Sequence, residues 1–144
     1  MTEDLSQNAC SDRVAEVREG LESKHFDTHH RDHALNLAAH GFYVFPCQSK
    51  PDAPGDKAPL GVAWREASSN DPVIIKSWWR RNPHALVAID CGKSSLVVID
   101  ADRHGAIDGV ALLMELMGSD LTVFGCPIVK TAGDGLHLYF AQPE

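Results

Sequence analysis

The stretch Ser95-Leu96-Val97-Val98-Ile99-Asp100-Ala101-Asp102 most constrains how this chain can fold. Leu96 to Ile99 is an unbroken apolar run rich in β-branched residues, which reads as a strand buried on both faces. It ends in Asp-Ala-Asp. Side chains alternate along a strand, so Asp100 and Asp102 are predicted to share one face at the rigid end of a buried element. Two carboxylates that close repel unless something positive stands between them. An oxygen-preferring divalent cation, Mg²⁺ or Mn²⁺, is a natural occupant. A bare Asp-x-Asp is more often a strand end turning into solvent. The apolar run ahead of it moves the balance toward a metal site.

The rest of the composition sets outer limits. At 144 residues the chain has room for one domain with a core, and 44% apolar with 23% charged residues is ordinary for a globular protein. No apolar run reaches the length of a membrane span, and no signal peptide is recognisable, so no membrane partner is expected. Cys10, Cys47, Cys91 and Cys126 are scattered without a Cys-x-x-Cys pair, which argues against a zinc knuckle and fits a reduced, cytoplasmic protein. The net charge of −7 argues against broad non-specific duplex binding but leaves room for a local basic groove. Residues 1 to 32 hold eight acids and four bases, and residues 33 to 144 hold twelve and nine.

Along the chain, residues 1 to 28 read as a polar extension, with Val14, Val17 and Leu21 at helical spacing. A firmer helix is predicted from an N-cap at Asp27 or Thr28 to His40, ended by Gly41, with Ala34, Leu35, Leu37, Ala38 and Ala39 as its buried stripe. His29 and His33 stand one turn apart without a third ligand, so a polar helix face is the better reading. Phe42 to Phe45 reads as a strand stopped by Pro46, followed by a proline-rich loop, Cys47 to Gly61, whose Lys50 and Lys57 could reach phosphates. Asp71-Pro72 opens a helix with Ile74, Ile75, Trp78 and Trp79 on one side. Arg80 and Arg81 close it, either as cations at the helix C-terminus or as phosphate contacts. Ala85 to Ile89 is a strand expected to form an antiparallel hairpin with the Leu96 strand. Gly92-Lys93-Ser94 imitates a Walker A ending, but Val87 stands where its first glycine belongs and a strand follows, which excludes a P-loop. A helix over Gly109 to Met117, a strand over Pro127 to Thr131, a glycine turn and a strand over Leu136 to Phe140 complete the chain. The turn is expected to expose backbone N–H groups suited to phosphate oxygens, beside His137 on a strand next to Asp100.

The order of these parts resembles the bifunctional DNA primase/polymerase N-terminal domain, of the archaeo-eukaryotic primase superfamily. The resemblance rests on Ala34-Leu35 to Gly41-Phe42-Tyr43-Val44-Phe45-Pro46, Lys57-Ala58-Pro59, Asp71-Pro72 to Trp78-Trp79, Gly92 with Ser95 to Asp102, and Thr131 with Gly135 to Phe140. It implies an α+β fold: a mixed, largely antiparallel sheet with flanking helices over residues 29 to 144. It implies a nucleotidyltransferase that joins nucleotides in DNA replication. Asp100 and Asp102 would be metal ligands for Mg²⁺ or Mn²⁺ and, with His137, the catalytic set. His137, Gly135, Thr131, Lys57 and Lys50 would face the nucleotide. Nucleoside triphosphates, single-stranded DNA template and a helicase or other replication protein are the implied partners. Two departures stand out. Asp134 puts a negative charge in the turn, and the family's third acidic motif, which follows the histidine strand, has no counterpart before Glu144, so a domain lacking its C-terminal part is expected.

Two alternatives remain open. One is a module that holds nucleotide or DNA without turnover. The other is a haloacid-dehalogenase-type phosphatase or a glycosyltransferase, which also use an Asp-x-Asp. The phosphatase pattern wants Thr or Val where His104 stands, and it leaves His137 without a role.

Overall fold

A computed structural model of the chain describes residues 30–50, 56–61, 63–131 and 133–143. The weak helix at residues 12–24, the N-cap at Asp27 or Thr28, His29, the middle of the proline-rich loop (51–55) and Ala132 lie outside the described residues. The fold is α+β with antiparallel strand pairing throughout, and the chain divides into two compact units between Ser94 and Ser95.

The first unit contains α1 (His30–Ala39), β1 (Val44–Cys47), α2 (Trp64–Ala67), α3 (Pro72–Arg81) and β2 (Leu86–Ile89). Helix α1 ends where glycine permits the left-handed backbone. Gly41 takes φ 86°, its N–H donates to Ala38 O at 2.9 Å, and Phe42 N donates to Leu37 O at 3.1 Å. These two bonds form a Schellman motif, and Phe42 is then driven into the interior, 1% exposed. Ala39, expected in the buried stripe, is exposed; it sits in the last turn, on the side away from Ala34 and Ala38.

Strand β1 runs through Pro46 instead of stopping there, with Pro46 opposite Val87 of β2. Proline is tolerated because its missing N–H belongs to the outer edge, where its carbonyl accepts from Leu60 N at 2.9 Å. The proline-rich loop folds back along that edge, with Gln48 N donating to Ala58 O and Lys57 N to Gln48 O.

Helix α3 starts as its Asp-Pro opening dictates. Asp71 Oδ1 accepts from Val73 N at 2.7 Å, and Pro72 occupies the first helical turn. Ile75, Trp78 and Trp79 enter the core with Ala34, Ala38, Val44 and Ala85, while Ile74, expected beside them, is turned toward solvent. Asp71→Ala should lower stability by about 1 kcal/mol, read as a shift in the urea midpoint. An unchanged midpoint would show that the cap does not matter.

The predicted hairpin between Leu86–Ile89 and the Leu96 strand does not form: β2 pairs with β1, and the Leu96 strand pairs elsewhere. The connecting residues make a five-residue turn in which Ser94 N donates to Asp90 O, too long for a tight hairpin. Asp90 is buried and held by Ser68 Oγ at 2.6 Å and Lys93 N at 3.1 Å, while Ser94 Oγ accepts from Tyr43 N. Lys93 Nζ, offered by the Walker-like triplet, donates to Glu66 O and Ser68 O and so closes the end of α2.

The second unit contains β3 (Leu96–Ala101), β4 (Arg103–His104), β5 (Ile107–Asp108), α4 (Gly109–Met117), a short 3-10 turn (Leu121–Phe124), β6 (Ile128–Lys130) and β7 (Leu136–Ala141). Three strands form an antiparallel sheet in the order β3-β7-β6, and β4 and β5 form a small hairpin whose turn uses Gly105 at φ 57°. One face of the three-stranded sheet presents Ala101, Leu136, Leu138, Phe140 and Ile128 to Val110 and Leu113 of α4 and to Leu121 and Phe124. The expectation that Leu96–Ile99 is buried on both faces is corrected: Val97 and Ile99 are exposed. Both share a face with Ala101, and α4 covers that face only at the Ala101 end of β3, whereas Leu96, on the Asp100 face, is buried.

Candidate functional site

The register of β3 on β7 places Asp100 directly opposite His137, Val98 opposite Tyr139 and Ala101 opposite Leu136. Directly opposed residues share a face. Asp100, His137 and Tyr139 therefore stand on the face that the unit's own core does not cover.

His137 lies between two partners. Its Nε2 is 3.3 Å from Asp100 Oδ1, and its Nδ1 is 3.3 Å from the Tyr139 hydroxyl. The Asp100 side chain is 59% exposed and that of His137 34%, so the carboxylate is open to a ligand while the ring is partly sheltered. Asp102 lies one residue beyond the end of β3. Its Oδ2 is 2.7 Å from His104 Nε2, and its Oδ1 accepts from Arg103 N at 3.0 Å.

Two glycines set where Asp102 sits. A Cβ on Gly135 would come 2.9 Å from Ala101 O, 2.9 Å from Thr131 Oγ1 and 3.1 Å from Asp102 Oδ1. A Cβ on Gly109 would come 2.6 Å from Asp102 O and 3.1 Å from Asp102 N. Neither glycine has a left-handed φ, so close approach of neighbouring atoms is what requires them. Asp108 precedes Gly109 and caps α4 by accepting from Ala111 N at 2.9 Å, a bond that, with Arg103, holds its carboxyl below the usual range.

The turn before β7 is tied down from within. Thr131 Oγ1 accepts from Gly135 N at 3.0 Å, Thr131 N donates to Gly135 O, and Asp134 N donates to Thr131 O. The N–H groups of Asp134 and Gly135, expected to face a phosphate, are thus satisfied inside the turn. Asp134 takes φ 60°, a conformation its short polar side chain tolerates, and its carboxylate meets Lys130 Nζ at 2.7 Å. That bond lowers its pKa and offsets the negative charge the sequence placed there.

Asp100, Asp102, Thr131, Gly135 and His137 all lie within the second unit. Lys50 and Lys57 lie in the first, exposed on the loop beside β1, with Lys57 at φ 59°. Among the described residues, no three His, Cys, Asp or Glu side chains gather into a metal-holding group. The donors at hand are two exposed carboxylates, hard oxygen ligands of the kind that hold Mg²⁺ together with substrate phosphates. Sequence reasoning passed over Gly109, Arg103, His104 and Tyr139. Gly109 was readable only as a helix start, and the other three take their places from the β4–β5 hairpin and the β3–β7 register.

Residues 34–144 match the family model described as bifunctional DNA primase/polymerase, N-terminal. The chain belongs to this family, and the antiparallel α+β architecture is the one the resemblance implied. No curated protein and no solved structure matches the chain. No described helix is long and apolar enough to cross a membrane.

Proposed function

We propose that the face of the β3-β7-β6 sheet that carries Asp100 and His137 is the nucleotidyl-transfer site of a DNA primase/polymerase-type domain, acting on nucleoside triphosphates and a single-stranded DNA template. The observation that carries this reading is the Asp100–His137 pair, 3.3 Å apart across adjacent strands, on the sheet face opposite the unit's own core and with the Asp100 carboxylate 59% exposed. Asp100 and Asp102 would hold Mg²⁺ or Mn²⁺, which in nucleotidyl transfer activates the attacking hydroxyl and neutralises the departing pyrophosphate. His137 would donate to the triphosphate, where a fixed donor is worth most against developing negative charge. Thr131 and Gly135 would shape the turn next to it.

A second reading has its own support. Each carboxylate already faces an imidazole, and no third acid joins the pair among the described residues. This favours a module that holds nucleotide or DNA without turnover. One experiment separates the two. The full chain is given a primed template and deoxynucleotides with Mn²⁺, and product length is read on a gel. Extension by the wild type that disappears in Asp100→Ala, whose exposed side chain can be removed without opening the core, supports catalysis. No extension with either cation, while nucleotide still binds, supports the second reading.

A further inference from the structure

We infer that the exposed face of α3 is the surface that holds the DNA phosphate backbone, through Lys76, Arg80 and Arg81. This rests on the DNA substrate proposed above and adds where that strand is gripped.

Helix α3 has two unlike faces. Ile75, Trp78 and Trp79 are buried, and Lys76, Arg80, Arg81 and His84 just beyond the helix are exposed. Lys76 and Arg80 stand one turn apart, so their side chains are neighbours on one stripe. From Pro72 to Ile89 the sequence contains no acid. Three other described surface cations are matched by carboxylates: Arg31 by Asp32, Arg103 by Asp108 and Lys130 by Asp134. Among the described residues, none of the three α3 cations pairs with a carboxylate.

The wider charge distribution points the same way. Residues 30–94 hold eight bases against six acids, whereas residues 95–144 hold two against seven and residues 1–29 three against seven. A polyanion is repelled by most of this chain and attracted to the stretch that carries α3. The Asp71 cap and the buried tryptophans fix the helix, so its cations are presented on a rigid support.

The same burial defines the mode of contact. With Trp78 and Trp79 committed to the core, α3 offers no aromatic platform on which bases could stack. Contact through this face is therefore to phosphates alone, which predicts binding that is steeply salt-dependent and indifferent to sequence.

The test is fluorescence anisotropy of a labelled oligothymidylate with the full chain over a range of NaCl concentrations. Lys76→Gln/Arg80→Gln/Arg81→Gln keeps helix propensity, and its circular dichroism should match the wild type. It should weaken binding by about tenfold or more at low salt and flatten the log–log salt slope by roughly 2, about 0.7 for each lost single-strand phosphate contact. Arg31→Gln, which removes one charge already paired with Asp32, should change little. A triple variant with wild-type affinity and slope overturns the inference, as does an equal loss in Arg31→Gln or a wild type that does not bind the probe at low salt. Normal DNA binding by the triple variant alongside Asp100-dependent extension would sink this inference and leave the proposed function standing. Binding that depends on α3 without extension would do the reverse.

Discussion

Trp79→Ala is expected to destabilise the first unit by about 3–5 kcal/mol, the range for removing a large aromatic side chain from a core. Trp79 is 2% exposed and packs with Ala34, Ala38, Val44, Ile75 and Ala85. Three of those five neighbours have side chains of one methyl group or little more, and alanines cannot swing into a void, so the cavity should stay open. A second cost comes from the indole N–H, which donates to Ala85 O at 3.0 Å. Its loss leaves a carbonyl without its partner at the start of β2, for about 1–3 kcal/mol of desolvation. Trp79→Phe separates the two costs by restoring most of the volume and none of the hydrogen bond. Urea titration followed by circular dichroism should rank wild type above Trp79→Phe and Trp79→Ala lowest. If the two variants unfold together, the cavity is not what matters. If Trp79→Phe matches the wild type, the indole hydrogen bond adds nothing.

The tryptophan pair, the Asp-Pro cap and the glycine after α1 were legible in the sequence because each is a local device. An N-cap, a first-turn proline and a left-handed C-terminal glycine act within a few residues of themselves. Strand partners are of another kind. The short separation of β2 from β3 invites a hairpin, yet both strands bond to residues far away in sequence, β2 to β1 and β3 to β7. Nothing in Leu86–Ile89 encodes that choice; it depends on the buried Asp90 turn, which tertiary hydrogen bonds hold in place. The candidate site was legible in composition and hidden in detail. Asp100 and His137 were readable as a pair because alternation along a strand narrows where each can point. The His104 and Tyr139 contacts depend on a two-residue hairpin and on register, and neither leaves a periodic trace. The mistaken N–H donors of the glycine turn have a similar cause. A turn rich in glycine looks open on paper, and Thr131 closes it with one side-chain oxygen.

Gly109→Ala is the sharper test of how the acid pair is held, because two principles give it opposite signs. Gly109 is the first residue of α4, where alanine in place of glycine would ordinarily stabilise by up to about 1 kcal/mol. Here the new methyl would stand 2.6 Å from Asp102 O and 3.1 Å from Asp102 N. Both are backbone atoms, so no side chain can rotate aside, and the Gly109 N–H bond to Asp102 O at 2.8 Å draws the two segments together. Forced overpacking of this kind costs about 1–3 kcal/mol, enough to reverse the gain. The net expectation is a loss of about 1–2 kcal/mol, with Asp102 pushed from its place over Gly135 while the Asp100–His137 pair, set by the β3–β7 ladder, stays. Gly133→Ala supplies the comparison, since a Cβ there meets nothing within 4 Å and the residue has no left-handed φ. Denaturation should therefore show Gly109→Ala well below Gly133→Ala. If Mn²⁺-dependent extension is present in the wild type, it should fall further in Gly109→Ala than its stability loss explains. Equal stability in the two variants would mean that α4 moves aside freely and does not fix Asp102.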